Sequence, residues 1–207
     1  MAFTIFKSIA TVLEYYPITY QESIIIHPKN AEYSPYFADR LNLAITEGIV
    51  FNSEYAICEN IISPILTEIW QIYRNQCLLW SHQPLTFDET LNGVPDYIVA
   101  KRSTRGKILL EKPFLMVVEA KKDNFEEGWG QCLAELIAVQ KINQSSEDKL
   151  FGIVTNGKLW EFAQLHNNIF TKNSTAYLLD NLPTLMAAVN FAFYEAIQQL
   201  QLIWSKS

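Results

Sequence analysis

The sequence predicts an α/β fold in which helices flank a mixed central β-sheet. Short apolar runs typical of buried strands alternate with longer stretches of helical periodicity. Two such runs, 97–100 and 114–118, are separated by a charged segment and indicate an antiparallel hairpin. A helical stretch then precedes the run 150–154. A crossover helix places this third strand parallel to the second, so the sheet is expected to be mixed.

The first helix and the strands after it have recognisable local signals. Asn52 and Ser53 are candidate N-cap residues of a long amphipathic helix, and Pro64 predicts a kink in it. A short strand is predicted at 85–87, followed by a turn around Asn92 and Gly93.

The second half of the chain shows the same kind of signals. Helical periodicity resumes after Gly128, and Asn156–Gly157 predicts a tight hairpin between strands 150–154 and 159–162. Asp180 or Asn181 is expected to cap a final helix that has Pro183 in its first turn. The apolar stripe of this helix belongs either to the core of the chain or to a homodimer interface.

Composition excludes several classes of protein. The net charge of -6 argues against general nucleic-acid coating, and no run approaches the roughly 18 apolar residues of a membrane span. The three cysteines lack metal-site or disulfide spacing, so free buried thiols in a cytoplasmic protein are expected. The three histidines are scattered and are interpreted as structural or exposed, and the seven glycines form no phosphate loop.

One segment reverses the acidic average. Residues 101–122 carry seven basic and two acidic side chains, a local charge of +5. The segment is either a solvated hairpin loop or a phosphate-facing loop. In the second case Lys101, Arg102, Arg105 and Lys107 are candidates for binding nucleic acid.

Acidic side chains stand at the ends of the two hairpin strands. Pro95–Asp96 precedes the first strand, and the second ends in Glu119-Ala120-Lys121. Side chains two positions apart on a strand share a face, so Glu119 and Lys121 are expected to project together. Burying them costs several kcal/mol, on the order of an ion's desolvation penalty, unless a metal, a partner or a substrate compensates.

This pattern resembles the PD-(D/E)xK nuclease superfamily, which has a restriction-endonuclease-like fold. The resemblance covers about residues 50–165, and the segments SEYAICENIISPIL, VPDYIV, VVEAKK and TNGKLWEF are similar to the nuclease-type N-terminal domain of type I restriction subunits. A chain of this size predicts one domain, 1–207. It would comprise the nuclease-like core 50–165, an N-terminal extension 1–49 and a C-terminal helix 180–205.

The resemblance implies a site for Mg²⁺ or Mn²⁺. Asp96 and Glu119 would be ligands, and the carbonyl of Ala120 would complete the metal shell. Clustered carboxylates holding Mg²⁺ can shield a phosphodiester anion, activate water and stabilise the departing oxygen. Lys121 would orient or activate the water and stabilise negative charge on phosphorus.

The resemblance also implies two further site residues. Members of the superfamily often take a third acid from the first helix, where Glu54 and Glu59 are candidates and Glu54 is favoured by its spacing from Pro64. Gln131 corresponds to a glutamine that often faces the active site, and the alternative is that it decorates an exposed turn. The tyrosine that commonly follows four residues later is Glu135 here, which leaves the role of Gln131 open.

The expected function is metal-dependent hydrolysis of nucleic acid, with DNA as the favoured substrate. The alternative is a catalytically inactive nuclease-like protein that binds nucleic acid or acts as a scaffold. The acidic composition and the absence of a visible target-recognition segment favour this alternative. A membrane is not expected among the partners.

Overall fold

Eight of ten strands form one mixed sheet within the part of the chain that the computed structural model describes, which is the backbone of residues 2–204 and the side chains of 3–200. Helices cover both faces of this sheet, so the predicted α/β class is confirmed. The strands are β1 (Thr19–Ser23), β2 (Cys77–Ser81), β3 (Leu85–Thr86), β4 (Asn92–Gly93), β5 (Tyr97–Lys101), β6 (Phe114–Ala120), β7 (Leu150–Thr155), β8 (Leu159–His166), β9 (Ile169–Asn173) and β10 (Tyr177–Leu178).

The strand order of the sheet is β1-β9-β8-β7-β6-β5-β2, and β10 also pairs with β8. β6 and β7 are parallel, as are β1 and β9, while the other pairs are antiparallel. The predicted hairpin of β5 and β6 and the parallel pairing of β6 with β7 are confirmed.

The turn predicted at Asn92–Gly93 is wrong. These two residues form β4, which pairs with β3 in a separate two-stranded ribbon. The chain reverses before them, where the Asp88 carboxylate accepts hydrogen bonds from the N–H groups of Thr90 and Leu91. A side-chain cap therefore makes this turn, rather than the Asn-Gly pair.

Six α-helices form the two layers that cover the sheet. On one side of the sheet, α2, α3, α4 and α6 contribute buried residues to one hydrophobic core. On the other side, α1 and α5 contribute buried residues to a second core. The helices are α1 (Ile9–Tyr15), α2 (Pro35–Glu47), α3 (Glu54–Ile57), α4 (Ser63–Tyr73), α5 (Phe125–Asn143) and α6 (Leu182–Trp204), with 3₁₀ turns at Ala2–Ile5 and Leu179–Asn181.

The predicted first core helix begins as expected but is irregular in its middle. The Ser53 hydroxyl accepts the N–H of Ala56, which confirms the N-cap. Between α3 and α4 lies a π-helical turn, Cys58–Ile62, in which the N–H of Ser63 bonds the carbonyl of Cys58. Pro64 follows Ser63 and has no N–H to donate. The helical hydrogen bonding therefore changes to the π-helical pattern in the turn before it.

The later helices follow their predicted signals closely. α5 begins at Phe125, three residues before Gly128, because the Asn124 side chain caps it. Asn181, not Asp180, accepts the N–H of Thr184 in the first turn of α6. The predicted helix 180–205 corresponds to α6, and residue 205 lies outside the described residues.

The apolar stripe of α6 packs inside the chain. Phe193, Ile197 and Leu200 are buried in the same core as α4, as the intramolecular alternative expects. The three cysteines are buried and free, as predicted. None of the described helices is both long and apolar enough to cross a membrane.

Candidate active site

The acids at the two hairpin strand ends meet. Tyr97 pairs with Val118 in the antiparallel register, which places Asp96 level with Glu119. The Asp96 Oδ2 accepts a hydrogen bond of 2.8 Å from the N–H of Ala120. This bond fixes the Asp96 carboxylate at the end of β6, beside Glu119.

Lys121 lies next to these acids, on the face predicted from strand alternation. Its Nζ is 3.8 Å from the Glu119 Oε2. The aliphatic part of Lys121 crosses α5 at Gly128, where a Cβ would lie 2.8 Å from the Lys121 Cγ. A residue with a side chain at position 128 would push the lysine away from its place.

The first helix contributes one of its two candidate acids to the same cleft. Glu54 lines the cleft with Asp96, Glu119 and Lys121. Its Oε1 accepts the backbone N–H of Lys122 at 3.1 Å. Glu59 instead lines a different surface groove, so only the first of the two carboxylates reaches the site.

Helix α5 adds two buried polar side chains to the opposite wall. Gln131 and Glu135 are one turn apart, are 4% and 1% exposed, and both line the cleft. Gln131 is therefore not part of an exposed turn. Glu135 is a site residue that sequence reasoning identified only as a departure from a family pattern, although its spacing from Gln131 places it on the same helix face.

Burial and mutual repulsion dominate the electrostatics of the two inner acids. Burial, and then the charges of Glu135 and Asp96, raise the pKa of Glu119 well above its ordinary value. Burial is also the main reason that the pKa of Glu135 rises to about 8. With a pKa of about 8, the Glu135 carboxyl group holds a proton at neutral pH.

The same surroundings favour the charged form of Lys121, whereas they favour the neutral form of the two inner acids. Burial lowers the pKa of Lys121, but the charges of Glu119, Glu54 and Asp96 outweigh burial and raise it above the ordinary value. Lys121 is therefore an ammonium group at neutral pH. It can donate hydrogen bonds and stabilise negative charge, and it cannot accept a proton in this state.

Four carboxyl groups and one amine thus surround a cleft of about 130 Å³. Among the described side chains, no group of three or more His, Cys, Asp or Glu residues is arranged to hold a metal ion. A cation in the cleft would therefore use no more than two of these carboxyl groups, together with amide, backbone or water oxygens.

His82 is a second residue that sequence reasoning missed. It follows β2 with a backbone φ of 50°, in the left-handed region. Its Nε2 is 3.4 Å from the Asp96 Oδ1, and its N–H donates to the Asp96 carbonyl. The sequence had no signal for this contact, because pairing of β2 with β5 brings the two residues together.

The basic candidates lie at the other end of the hairpin. Lys101 is the last residue of β5, whereas Asp96 directly precedes its first residue. Five residue steps along a strand correspond to roughly 16 Å. Arg102 donates to the carbonyl of Arg74 just beyond α4, and Lys101 pairs with Glu111 at 3.5 Å. Lys101, Arg102, Arg105 and Lys107 therefore do not line the acidic cleft.

No protein-family model, curated protein or solved structure matches this chain.

Proposed function

We propose that this protein is a metal-dependent nuclease that hydrolyses phosphodiester bonds, with DNA as its substrate. The observation that carries the proposal is the meeting of Asp96, Glu119 and Lys121 at the ends of β5 and β6, in one cleft with Glu54 and Gln131. The order of β5, β6, α5 and β7 is also compatible with a restriction-endonuclease-like core.

The residues lining the cleft are suited to a divalent cation such as Mg²⁺ or Mn²⁺. Four carboxyl groups line the cleft with a single ammonium, and two of them, Glu119 and Glu135, are buried, so ionising both requires a compensating positive charge. Two buried oxygens, Gln131 Oε1 and Glu135 Oε2, also lack a hydrogen-bond partner within the described chain. Asp96 and Glu119 would hold the cation, with the Ala120 carbonyl as the further ligand that the resemblance implies.

The chemistry follows from the charges of the site. A bound divalent cation would polarise the phosphodiester and lower the pKa of a coordinated water. Lys121, protonated at neutral pH, would orient the water and stabilise the charge that develops on the phosphate oxygens. The N–H of Ala120 holds the Asp96 carboxylate in place for this work.

The test is nicking of supercoiled plasmid DNA in Mg²⁺ or Mn²⁺. Asp96→Asn keeps the shape of the side chain but removes its charge, and nicking should fall to background. Asp39→Asn is a matched control, because Asp39 is outside the cleft and lies on α2. Nicking by the Asp96 variant at the wild-type rate would refute the assignment of the site.

A non-catalytic nucleic-acid-binding role is the second candidate. The observation that favours it is the separation of the basic segment from the acids, since nucleic acid held by Arg102 and Arg105 would not need to enter the cleft. Metal-independent binding of DNA without nicking would identify this role. In either case the buried free cysteines support a reducing, cytoplasmic location.

A further inference from the structure

Two buried oxygens on α5 have no protein partner within the described residues. Gln131 and Glu135 are only 4% and 1% exposed. Neither Gln131 Oε1 nor Glu135 Oε2 has a hydrogen-bond partner among the described side chains and backbone groups. A buried oxygen without a hydrogen-bond partner destabilises the folded state, so two of them on one wall of a cleft require an explanation.

The position of these oxygens indicates a ligand. The two side chains are four residues apart on one helix, which puts them on the same face about one turn apart. Both line the cleft that also contains Glu119. Glu119 is also buried, at 6% exposed, and its side chain lines the same cleft as this wall.

The amine in the site does not satisfy this wall. Lys121 Nζ lies 3.8 Å from Glu119 Oε2, and it donates no hydrogen bond to Gln131 Oε1 or Glu135 Oε2. Two carboxyl groups and one amide oxygen are a ligand set suited to a small hard cation, Mg²⁺ or Mn²⁺. A cleft of about 130 Å³ leaves room for such an ion with a few waters, at roughly 30 Å³ for each water.

We propose that Glu119, Gln131 and Glu135 form a divalent-cation site on the α5 side of the cleft. This site shares Glu119 with the proposed function, but it does not depend on hydrolysis of DNA. Glu135 would then be a cation ligand contributed by the helix that connects β6 to β7, and Gln131 would contribute a neutral oxygen beside it.

The experiment is calorimetric titration with Mn²⁺, supported by electron paramagnetic resonance of the free ion. Glu135→Gln keeps the side-chain shape but can no longer ionise to a carboxylate ligand. Loss of a ligand should cost at least as much affinity as loss of an outer-shell partner, about 10- to 100-fold. Gln131→Met, which removes the amide oxygen, should weaken Mn²⁺ binding in the same direction and by a smaller factor.

Two controls define the site. Glu126→Gln removes an exposed acid from the same helix and should leave Mn²⁺ affinity unchanged. Asp96→Asn should retain binding of one Mn²⁺ through Glu135. Circular dichroism and thermal melting establish that each variant is folded. Glu135→Gln replaces a buried neutral carboxyl group with a neutral amide of the same shape and should not unfold the protein.

If folded Glu135→Gln binds Mn²⁺ with wild-type affinity, the inference is overturned. Complete loss of Mn²⁺ binding in Asp96→Asn would also overturn it. The two proposals fail separately. If wild-type protein nicks DNA but Glu135→Gln binds Mn²⁺ normally, only this cation site is refuted. If Mn²⁺ binding depends on Glu135 but no DNA is nicked, only the nuclease proposal is refuted.

Discussion

Replacing Glu135 with Gln should reduce the dependence of protein stability on pH in the weakly acidic to weakly alkaline range. In metal-free buffer the buried Glu135 is protonated in the folded protein at neutral pH, because its pKa is raised to about 8. In the unfolded chain the same group loses its proton at its ordinary pKa of 4.5. Folding is therefore favoured by this proton.

The magnitude follows from the two pKa values. Each pH unit between them changes the free energy of unfolding by about 1.4 kcal/mol. The interval from 4.5 to about 8 therefore corresponds to a loss on the order of 5 kcal/mol. Because the folded pKa is the higher one, this stability is complete below pH 4.5 and is lost as the pH rises to about 8.

Chemical denaturation followed by tryptophan fluorescence measures this change directly. Trp129 and Trp160 are buried, so their emission should report unfolding. The wild type should lose stability steadily between about pH 5 and 8, and Glu135→Gln should lose less over that range, because only the buried Glu119 then still has a raised pKa in this pair. Acids with lowered pKa values, such as Glu111, lose their contribution only at lower pH and do not interfere.

Parallel stability profiles for the wild type and Glu135→Gln would refute the reasoning. They would mean that the buried carboxyl pair is hydrated or is already ionised in solution. Glu126→Gln is the control here as well, since replacing this exposed acid should leave the wild-type slope intact.

Three other outcomes are expected. Lys121→Met should lower nicking turnover by about 10²- to 10³-fold, the usual effect of removing a donor to developing charge, and equal loss of Mn²⁺ affinity would contradict this role. Replacing Arg102 and Arg105 with Gln should weaken DNA binding. The slope of log affinity against log salt concentration should become shallower by about 0.7 to 0.9 for each phosphate that is no longer neutralised. An unchanged slope would mean that the segment only faces solvent. Saturating Mg²⁺ at pH 8 should raise the melting temperature by about 5 to 10 °C, if the concentration is about 100 times the dissociation constant, and EDTA should reverse the effect.

Strand periodicity predicted the central part of the fold well. The runs that became β5, β6 and β7 are buried on both faces, and their apolar side chains give a strong local signal. Asp96, Glu119 and Lys121 could be placed because each stands at or next to the end of such a run. Their meeting depends on the register of one hairpin, which alternation and the spacing of the runs largely determine.

The remaining parts of the fold and site depend on long-range pairing. β1 is an exposed edge strand whose side chains face solvent, so it lacks an apolar pattern. The turn prediction at Asn92–Gly93 was wrong because a side-chain cap at Asp88 reverses the chain earlier. His82 reaches Asp96 only through the pairing of β2 with β5.

The basic residues near Arg102 lie at the end of the β5–β6 hairpin away from Asp96, and this distance has a consequence for substrate length. Stacked base pairs advance by about 3.4 Å along a duplex, so a span of roughly 16 Å corresponds to about five steps. Fragments shorter than this would reach either the acids near Asp96 or the cations near Arg102, but not both. A steep rise of cleavage rate with oligonucleotide length near five units would indicate that both ends of the hairpin hold one continuous strand.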